Sequence, residues 1–369
     1  MKTLSLVLCA LFLTIQSAVA QDVDQEWLQS AVDDVRSEFD LIALGASVAR
    51  LDQPAVTAVS GHTRKGSDEA VDPGDAWHIG SNTKALTALL YARLVEGGDA
   101  QWGVSVTDLF KDQIDTIDPA WNNVTIEDVF AHRAGVGQLG PTWLISRHAD
   151  SRPVTEQRLE TVEKLLASPP KKPVGEFEYS NLNYIVAGTA IELMTGESWE
   201  DAMKARVFDV PGSEWSEGWG FGPPQDGLQG TKRNLFGLKQ AAGTGPGADN
   251  PAALGPAGTA HAPLESHARL LLEFINPESD LVTKDMREHL FQPWPDETAD
   301  YAMGWGVMRG DDGNVSYGHA GSNTMWLSRA LILPGLDAAI VVNTNEFNDD
   351  SKAATDAVLQ RIRLELAAD

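Results

Sequence analysis

The sequence is almost free of cysteine: its single one, Cys9, lies in an N-terminal apolar run. That run, Leu4 to Ile15, follows Lys2 and precedes Ala18-Val19-Ala20. A charged start, an apolar stretch and a small-x-small site make a secretory leader, with cleavage expected after Ala20. Val7-Leu8 ahead of Cys9 does not make a lipid-attachment site. The expected product, residues 21–369, is exported to the periplasm or secreted. It has no cysteine, which excludes a disulfide, a thiol nucleophile and a cysteine metal site. Long apolar runs are lacking too. The leader is short for a bilayer span and no later stretch is long enough, so no integral membrane segment is expected. Basic residues are scarce, with 28 Lys and Arg against 53 Asp and Glu and a net charge of −25. That balance argues against nucleic acid and against anionic membrane surfaces as partners. The acids are dispersed, as at Asp33-Asp34 and Asp349-Asp350, which is the pattern of a solvated surface. No His-Glu-x-x-His or cysteine pattern offers a metal site. Gly243-Thr244-Gly245-Pro246-Gly247 lacks the strand-to-helix context and the Lys of a phosphate loop. No metal or cofactor is therefore expected. Nothing in the sequence specifies an oligomeric state.

What is present is an ordinary globular composition, 43% hydrophobic and 22% charged over 369 residues, enough for one large domain. Apolar periodicity predicts helices over 22–40, 154–168, 182–195, 199–208, 264–274 and 350–367. Shorter ones are expected over 106–110 and from Val124 to Phe130, the latter capped by Thr125. Strands are expected as a pair between Leu41 and Val59, turning near Asp52-Gln53-Pro54. Four more run from Gly304 to Asn343, with turns at Asp311-Asp312-Gly313 and Pro334-Gly335. Consecutive strands joined by short turns pair antiparallel. The expected fold is α/β in the α+β sense: an antiparallel sheet formed by both ends of the chain, flanked by the terminal helices. It carries a mainly helical insert at about 98–263, between sheet-forming parts at about 21–97 and 264–369. Residues 211–263, rich in Gly, Pro and Ala, are too long for an ordinary connection and read as a functional loop.

The stretch Trp77-His78-Ile79-Gly80-Ser81-Asn82-Thr83-Lys84 stands out. It reads as an extended segment, a glycine pivot and a helix starting at Ser81, an expected N-cap. Ser81 and Lys84 are then i and i+3 on one face. A hydroxyl beside an amine at a helix N-terminus is a way to build a nucleophile, and the Ser81 backbone N–H is left without an intrahelical partner. Ser168-Pro169-Pro170-Lys171 repeats the spacing, but its prolines prevent the helix. Gly321-Ser322-Asn323-Thr324 echoes Gly80-Ser81-Asn82-Thr83, with Met325 where the first copy has Lys84.

Two further motifs follow in order, Tyr179-Ser180-Asn181 and His319-Ala320-Gly321. Together the three resemble the serine β-lactamase and penicillin-recognising superfamily, in the branch of class C β-lactamases, D-alanyl-D-alanine carboxypeptidases and related esterases. Val124–Gly135, Pro173–Gly188, Pro256-Ala257-Gly258 and Tyr301…Gly304-Trp305-Gly306 extend the likeness over most of the chain. The resemblance implies a β-lactamase/transpeptidase-like fold and acyl transfer through a covalent intermediate on Ser81. It implies Lys84 and Tyr179 as the proton-handling pair, either one the general base. Asn181, His319 and Gly321 would contact substrate, and the N–H groups of Ser81 and Ser322 would bind the oxyanion. The substrate expected is a small ester, amide or peptide.

The third motif departs from the Lys-Thr-Gly usual in β-lactamases. His319 and Ala320 offer a substrate carboxylate less than Lys and Thr would. An esterase or D-amino-acid peptidase is therefore expected ahead of a β-lactamase. A non-catalytic penicillin- or peptidoglycan-binding module is the alternative, against which the intact Ser81, Lys84 and Tyr179 argue. Taken singly, His132 and His78 read as packing residues, and His261 and His267 as loop and helix-surface residues. Trp215, Trp219 and Trp326 are candidates to line a pocket.

Overall fold

The computed structural model describes residues 23–51, 53–310 and 313–368. The expected leader with Cys9, and the turn residues Asp52, Asp311 and Asp312, lie outside the described residues. A six-stranded sheet organises the rest, in the order Val56–Gly61, Ala43–Arg50, Ala338–Thr344, Leu327–Leu333, Val315–Ser322, Gly306–Arg309. Every neighbouring pair is antiparallel. The joint between the chain's two ends is the pairing of Ala43–Arg50 with Ala338–Thr344, in the register Val48 to Ile340.

The period-two alternation of the strands divides the core. Leu44, Ala46, Val48, Ile340 and Val342 face the helices Gln25–Glu38 and Asp349–Leu366, which answer with Leu28, Val32, Val35, Val358 and Ile362. Ala43, Ala49, Ala339 and Val341 face the opposite way, into the larger cluster built with the Leu264–Leu272 helix and the helical body. Burying each of these Val, Leu or Ile side chains is worth about 1.5–3 kcal/mol. Caps set the boundaries. Thr125 and Asp128 form a capping box before Ile126–Phe130, and Asn348 and Ser351 form one before the last helix. Among the described residues, no helix is long and apolar enough to cross a membrane.

Several local expectations are corrected. The strand at Gly304–Val307 lies at Gly306–Arg309, and the helices Pro141–His148 and Lys284–Phe291 were not anticipated. Their start signals, Pro141 after Gly140 and Thr283 before Lys284, precede runs with few buried apolar positions. The 211–263 segment is not a plain loop. It carries a hairpin of Thr231–Arg233 with Lys239–Ala241. Its Ala260–Ala262 strand pairs with both Trp77–His78 and Gly220–Phe221. That small sheet anchors the segment directly ahead of Ser81. His267 is fully buried rather than on the helix surface, and His261 sits in a strand with Nδ1 2.8 Å from the Gly222 carbonyl.

A buried ion cluster ties the helical body together. Arg158, fully buried, donates to Glu192 at 2.5 Å, to Glu200, and to the carbonyls of Ala252 and Ala253. It thus joins three helices to the segment leading into Pro256-Ala257-Gly258. Removing one partner of a buried pair strands the other charge. Arg158→Ala is expected to lower unfolding free energy by about 3–5 kcal/mol in urea titrations.

His267 has no partner on either ring nitrogen, and burial takes its pKa from 6.5 down to about 3. The unfolded chain binds this proton first, so the neutral ring's contribution is complete above 6.5 and lost as pH falls toward 3. His267→Leu is expected to flatten the fall of Tm between these pH values.

Candidate active site

The Thr83–Gly97 helix begins after a 3₁₀ turn, Gly80–Asn82. Asn82 is its N-cap position and makes no side-chain cap bond; Thr83 Oγ1 instead donates to the Gly80 carbonyl at 2.7 Å. Ser81 is therefore not a cap, contrary to the sequence expectation. Its hydroxyl is left for the lysine one turn on.

Lys84 is fully buried. Its Nζ donates to Asn181 Oδ1 at 2.8 Å and the Ala257 carbonyl at 2.6 Å, and lies within hydrogen-bond distance of Ser81 Oγ, at 2.9 Å. Burial holds the amine well below the usual lysine range. The donor inventory then becomes decisive. Asn181 Oδ1 and the Ala257 carbonyl can only accept, whereas the Ser81 hydroxyl can also donate. A neutral amine has two N–H bonds and one lone pair. It satisfies both obligate acceptors and turns its lone pair to the Ser81 proton.

Tyr179 lines the same cavity as Ser81, and its ring lies 5.0 Å from Lys84 Nζ. Burial raises its pKa to about 12. It is a neutral phenol across the physiological range. The turn that carries it is held at several points. His132, with φ +60°, accepts the Ser180 N–H at 3.3 Å on Nδ1, and its carbonyl accepts the Glu178 N–H at 2.8 Å. Ser180 Oγ donates to the Gly137 carbonyl and accepts from Leu182 N–H, starting the Asn181–Thr195 helix. Asn181 is thereby delivered to Lys84.

The Val315–Ser322 strand brings the third motif. His319 Nε2 is 3.1 Å from the Tyr301 hydroxyl. Nearby, the Tyr184 hydroxyl donates to the Phe130 carbonyl at 2.9 Å. Burial presses the His319 pKa down to about 3, so the ring is neutral. The repeated Gly-Ser-Asn-Thr sequences face each other. A Cβ on Gly321 would lie 1.9 Å from the Ile79 carbonyl oxygen and 2.8 Å from Ser81 N. One on Gly80, at φ +53°, would lie 2.4 Å from Ser322 N. Only glycines allow the backbones of Ser81 and Ser322 to meet.

A cavity of about 530 Å³ opens here, lined by Ser81, Tyr179, Tyr301, His319, Ser322 and, at its far side, Leu327, Arg329, Phe347 and Lys352. All the residues singled out in the sequence thus converge: Ser81, Lys84, Tyr179, Asn181, His319, Gly321 and Ser322. Trp326 is buried against Trp77, Trp219 stacks on Phe208, and Trp215 lines a separate cavity beside Arg50 and Arg269. Sequence reasoning gave no role to Tyr301, nor to the Ala257 carbonyl, a backbone atom that leaves no side-chain signal. The arrangement can carry nucleophilic attack on a carbonyl, with a base on the nucleophile and paired backbone amides beside it.

The Beta-lactamase family profile matches residues 20–365. The curated unguisins hydrolase of Aspergillus campestris is 29% identical over 171 residues, which are 44% of this chain and 31% of that protein. The chain spans less than half the length of the curated relatives it matches first. Among solved structures, SurE superposes with TM-score 0.75 at 19% identity, covering 92% of this chain and 76% of that one. D-amino acid amidase from Ochrobactrum anthropi SV3 gives 0.72 at 17% identity, covering 91% and 98%.

The Gly80–Gly321 approach yields a direct check. Gly321→Ala is expected to cut kcat/KM for an activated ester about 10²-fold or more, the loss associated with one oxyanion donor. Circular dichroism would test that the fold is kept.

Proposed function

As the chain belongs to the Beta-lactamase family, we propose that it is an exported serine hydrolase that cleaves an ester or amide through an acyl-enzyme on Ser81. The esterase or D-amino-acid amidase and peptidase type fits best. The observation that carries this reading is the Lys84 amine, buried and directed at Ser81 Oγ by two acceptors that occupy its N–H bonds.

In this mechanism Ser81 Oγ attacks the carbonyl carbon as its proton passes to Lys84 Nζ. The oxyanion accepts from the N–H groups of Ser81 and Ser322. Tyr179, which lines the cavity beside Ser81, relays the proton to the leaving alcohol or amine, and the carbonyl–heteroatom bond breaks. Water then attacks the acyl-enzyme along the same path in reverse, returning the proton to Ser81 and releasing the acid. Lys84 is the base, since the Tyr179 phenol ionises only near about 12. Asn181 orients Lys84 and reaches the substrate edge.

Neutral His319, where a β-lactamase carries Lys, argues for a substrate without a carboxylate at that point and against efficient β-lactam turnover. Amide cleavage also accords with the amidase and hydrolase names of the relatives. The β-lactamase and the idle binding module remain the rival readings. Export rests on the expected leader and is tested by the mass of the mature N-terminus in the periplasmic or secreted fraction.

A panel of p-nitrophenyl butyrate, D-phenylalanine amide, D-alanyl peptides and nitrocefin tests the proposal. Ester or D-amide turnover should exceed nitrocefin turnover and fall on the order of a thousandfold or more in Ser81→Ala. Activity that survives Ser81→Ala sinks the mechanism, and dominant nitrocefin turnover promotes the β-lactamase. The pH profile has a definite sign. Protonated Lys84 is inactive, so kcat/KM rises with pH through a midpoint far below the usual lysine range, with no fall assignable to Tyr179 short of about 12.

A further inference from the structure

We propose that Asp249 is a positioning residue for the oxyanion hole, a buried carboxylate that holds the two donor backbones in register through His78 and Asn323. The inference rests on the reading of Ser81 and Ser322 as the oxyanion donors.

Asp249 belongs to the Gly- and Pro-rich segment and is 5% exposed. Its Oδ1 accepts from Asn323 Nδ2 at 2.8 Å and from the Asn250 N–H at 2.7 Å, and lies 2.9 Å from His78 Nε2. On one arm, His78 Nδ1 accepts the Gly80 N–H at 3.1 Å. An accepting Nδ1 leaves the ring proton on Nε2, the nitrogen that faces Asp249. The arm therefore runs from the carboxylate to the imidazole by a 2.9 Å contact that lacks hydrogen-bond alignment, and from the imidazole to the peptide just before Ser81 by the Gly80 N–H. On the other arm, Asn323 Oδ1 takes the Met325 N–H at 3.2 Å, which fixes the amide and points its NH2 at Asp249. This arm ends on the residue just after Ser322. Thr324, at φ +73°, holds that turn with its N–H on Ser322 Oγ at 2.9 Å. One oxygen atom thus ties together both Gly-Ser-Asn sequences where their backbones meet.

Asp249 bonds neither Ser81 nor Lys84, so it acts through its neighbours. Its Oδ2 is buried without a partner, a costly arrangement in an apolar setting. A carboxylate near a developing oxyanion is also electrostatically unfavourable. What it contributes is therefore geometry, and an acceptor of the same shape without the charge should largely replace it.

The test compares Asp249→Ala, Asp249→Asn and Asn323→Ala in the full-length enzyme, with an activated ester and a boronic acid that mimics the tetrahedral adduct. Misplaced donors predict that Asp249→Ala lowers kcat about 10²-fold with KM within about threefold. Boronate affinity should fall in parallel. Asp249→Asn should recover to within about tenfold of wild type. The Asp249→Ala/Asn323→Ala double variant should cost less than the product of the two single losses, as expected for one shared network. If Asp249→Ala does not fold, Asn323→Ala and Asp249→Asn carry the comparison, the first lowering kcat and boronate affinity together. Full kcat in the folded Asp249→Ala or Asn323→Ala protein overturns the proposal, as does a loss expressed only in KM or only in Tm. Wild-type turnover that survives Ser81→Ala would instead refute the assignment of the site itself.

Discussion

The site depends on the burial of one amine. Lys84 has no carboxylate to answer its charge; the groups around it are a hydroxyl, an amide oxygen and a peptide carbonyl. Those groups come from the 3₁₀ turn ahead of its own helix, from the start of the Asn181–Thr195 helix and from the Pro256-Ala257-Gly258 turn. A carboxylate among them would hold the proton on the lysine and leave Ser81 without a base. On the proposed mechanism excluding one is a requirement, and it falls in a chain with nearly twice as many acids as bases. Of the acids nearby, Glu192 and Glu200 are taken up by Arg158, and the buried Asp249 by Asn323 and the Asn250 N–H.

The depressed pKa of Lys84 fits its surroundings. His132 and His319 are both held neutral by burial. Tyr179, Tyr184 and Tyr301 are kept as phenols by burial. The lining around Ser81 is therefore hydrogen-bonding but uncharged, with Arg329 and Lys352 confined to the far side of the cavity, and the Tyr301 hydroxyl holds the His319 ring without ionising it. Such a lining orients a substrate by shape and dipoles.

Much of this was legible in the sequence because it resides in side chains at telling spacings. Ser81, Lys84, Tyr179, Asn181 and His319 could be named, and the strands at the two ends of the chain could be read from alternation. What stayed hidden lives in the backbone or in long-range packing. The Ala257 carbonyl has no residue-type signature. Ser81 was misread as a cap because a 3₁₀ turn looks like a helix start in sequence. His267 was misread as exposed because a polar residue on a helix gives no sign of what packs over it. The 211–263 segment resembled a loop because its strands are only two or three residues long. The echo of Gly-Ser-Asn-Thr was visible, but its meaning required the sheet to bring the copies face to face.

The order of strands has a consequence in time. Ala43–Arg50 pairs with Ala338–Thr344, and the Ile42 N–H donates to Glu346, 304 residues away. A chain emerging from its N-terminus can form the Ser81 helix and the helical body early. It cannot bring Ser322 to Ser81 until nearly the last strand has been made, and such non-local closure is slow. The approach of the Ser81 and Ser322 backbones is thus assembled last. On the proposed mechanism, a chain grown past Lys84 but short of Ser322 carries the serine and the lysine without the cradle that would make them reactive.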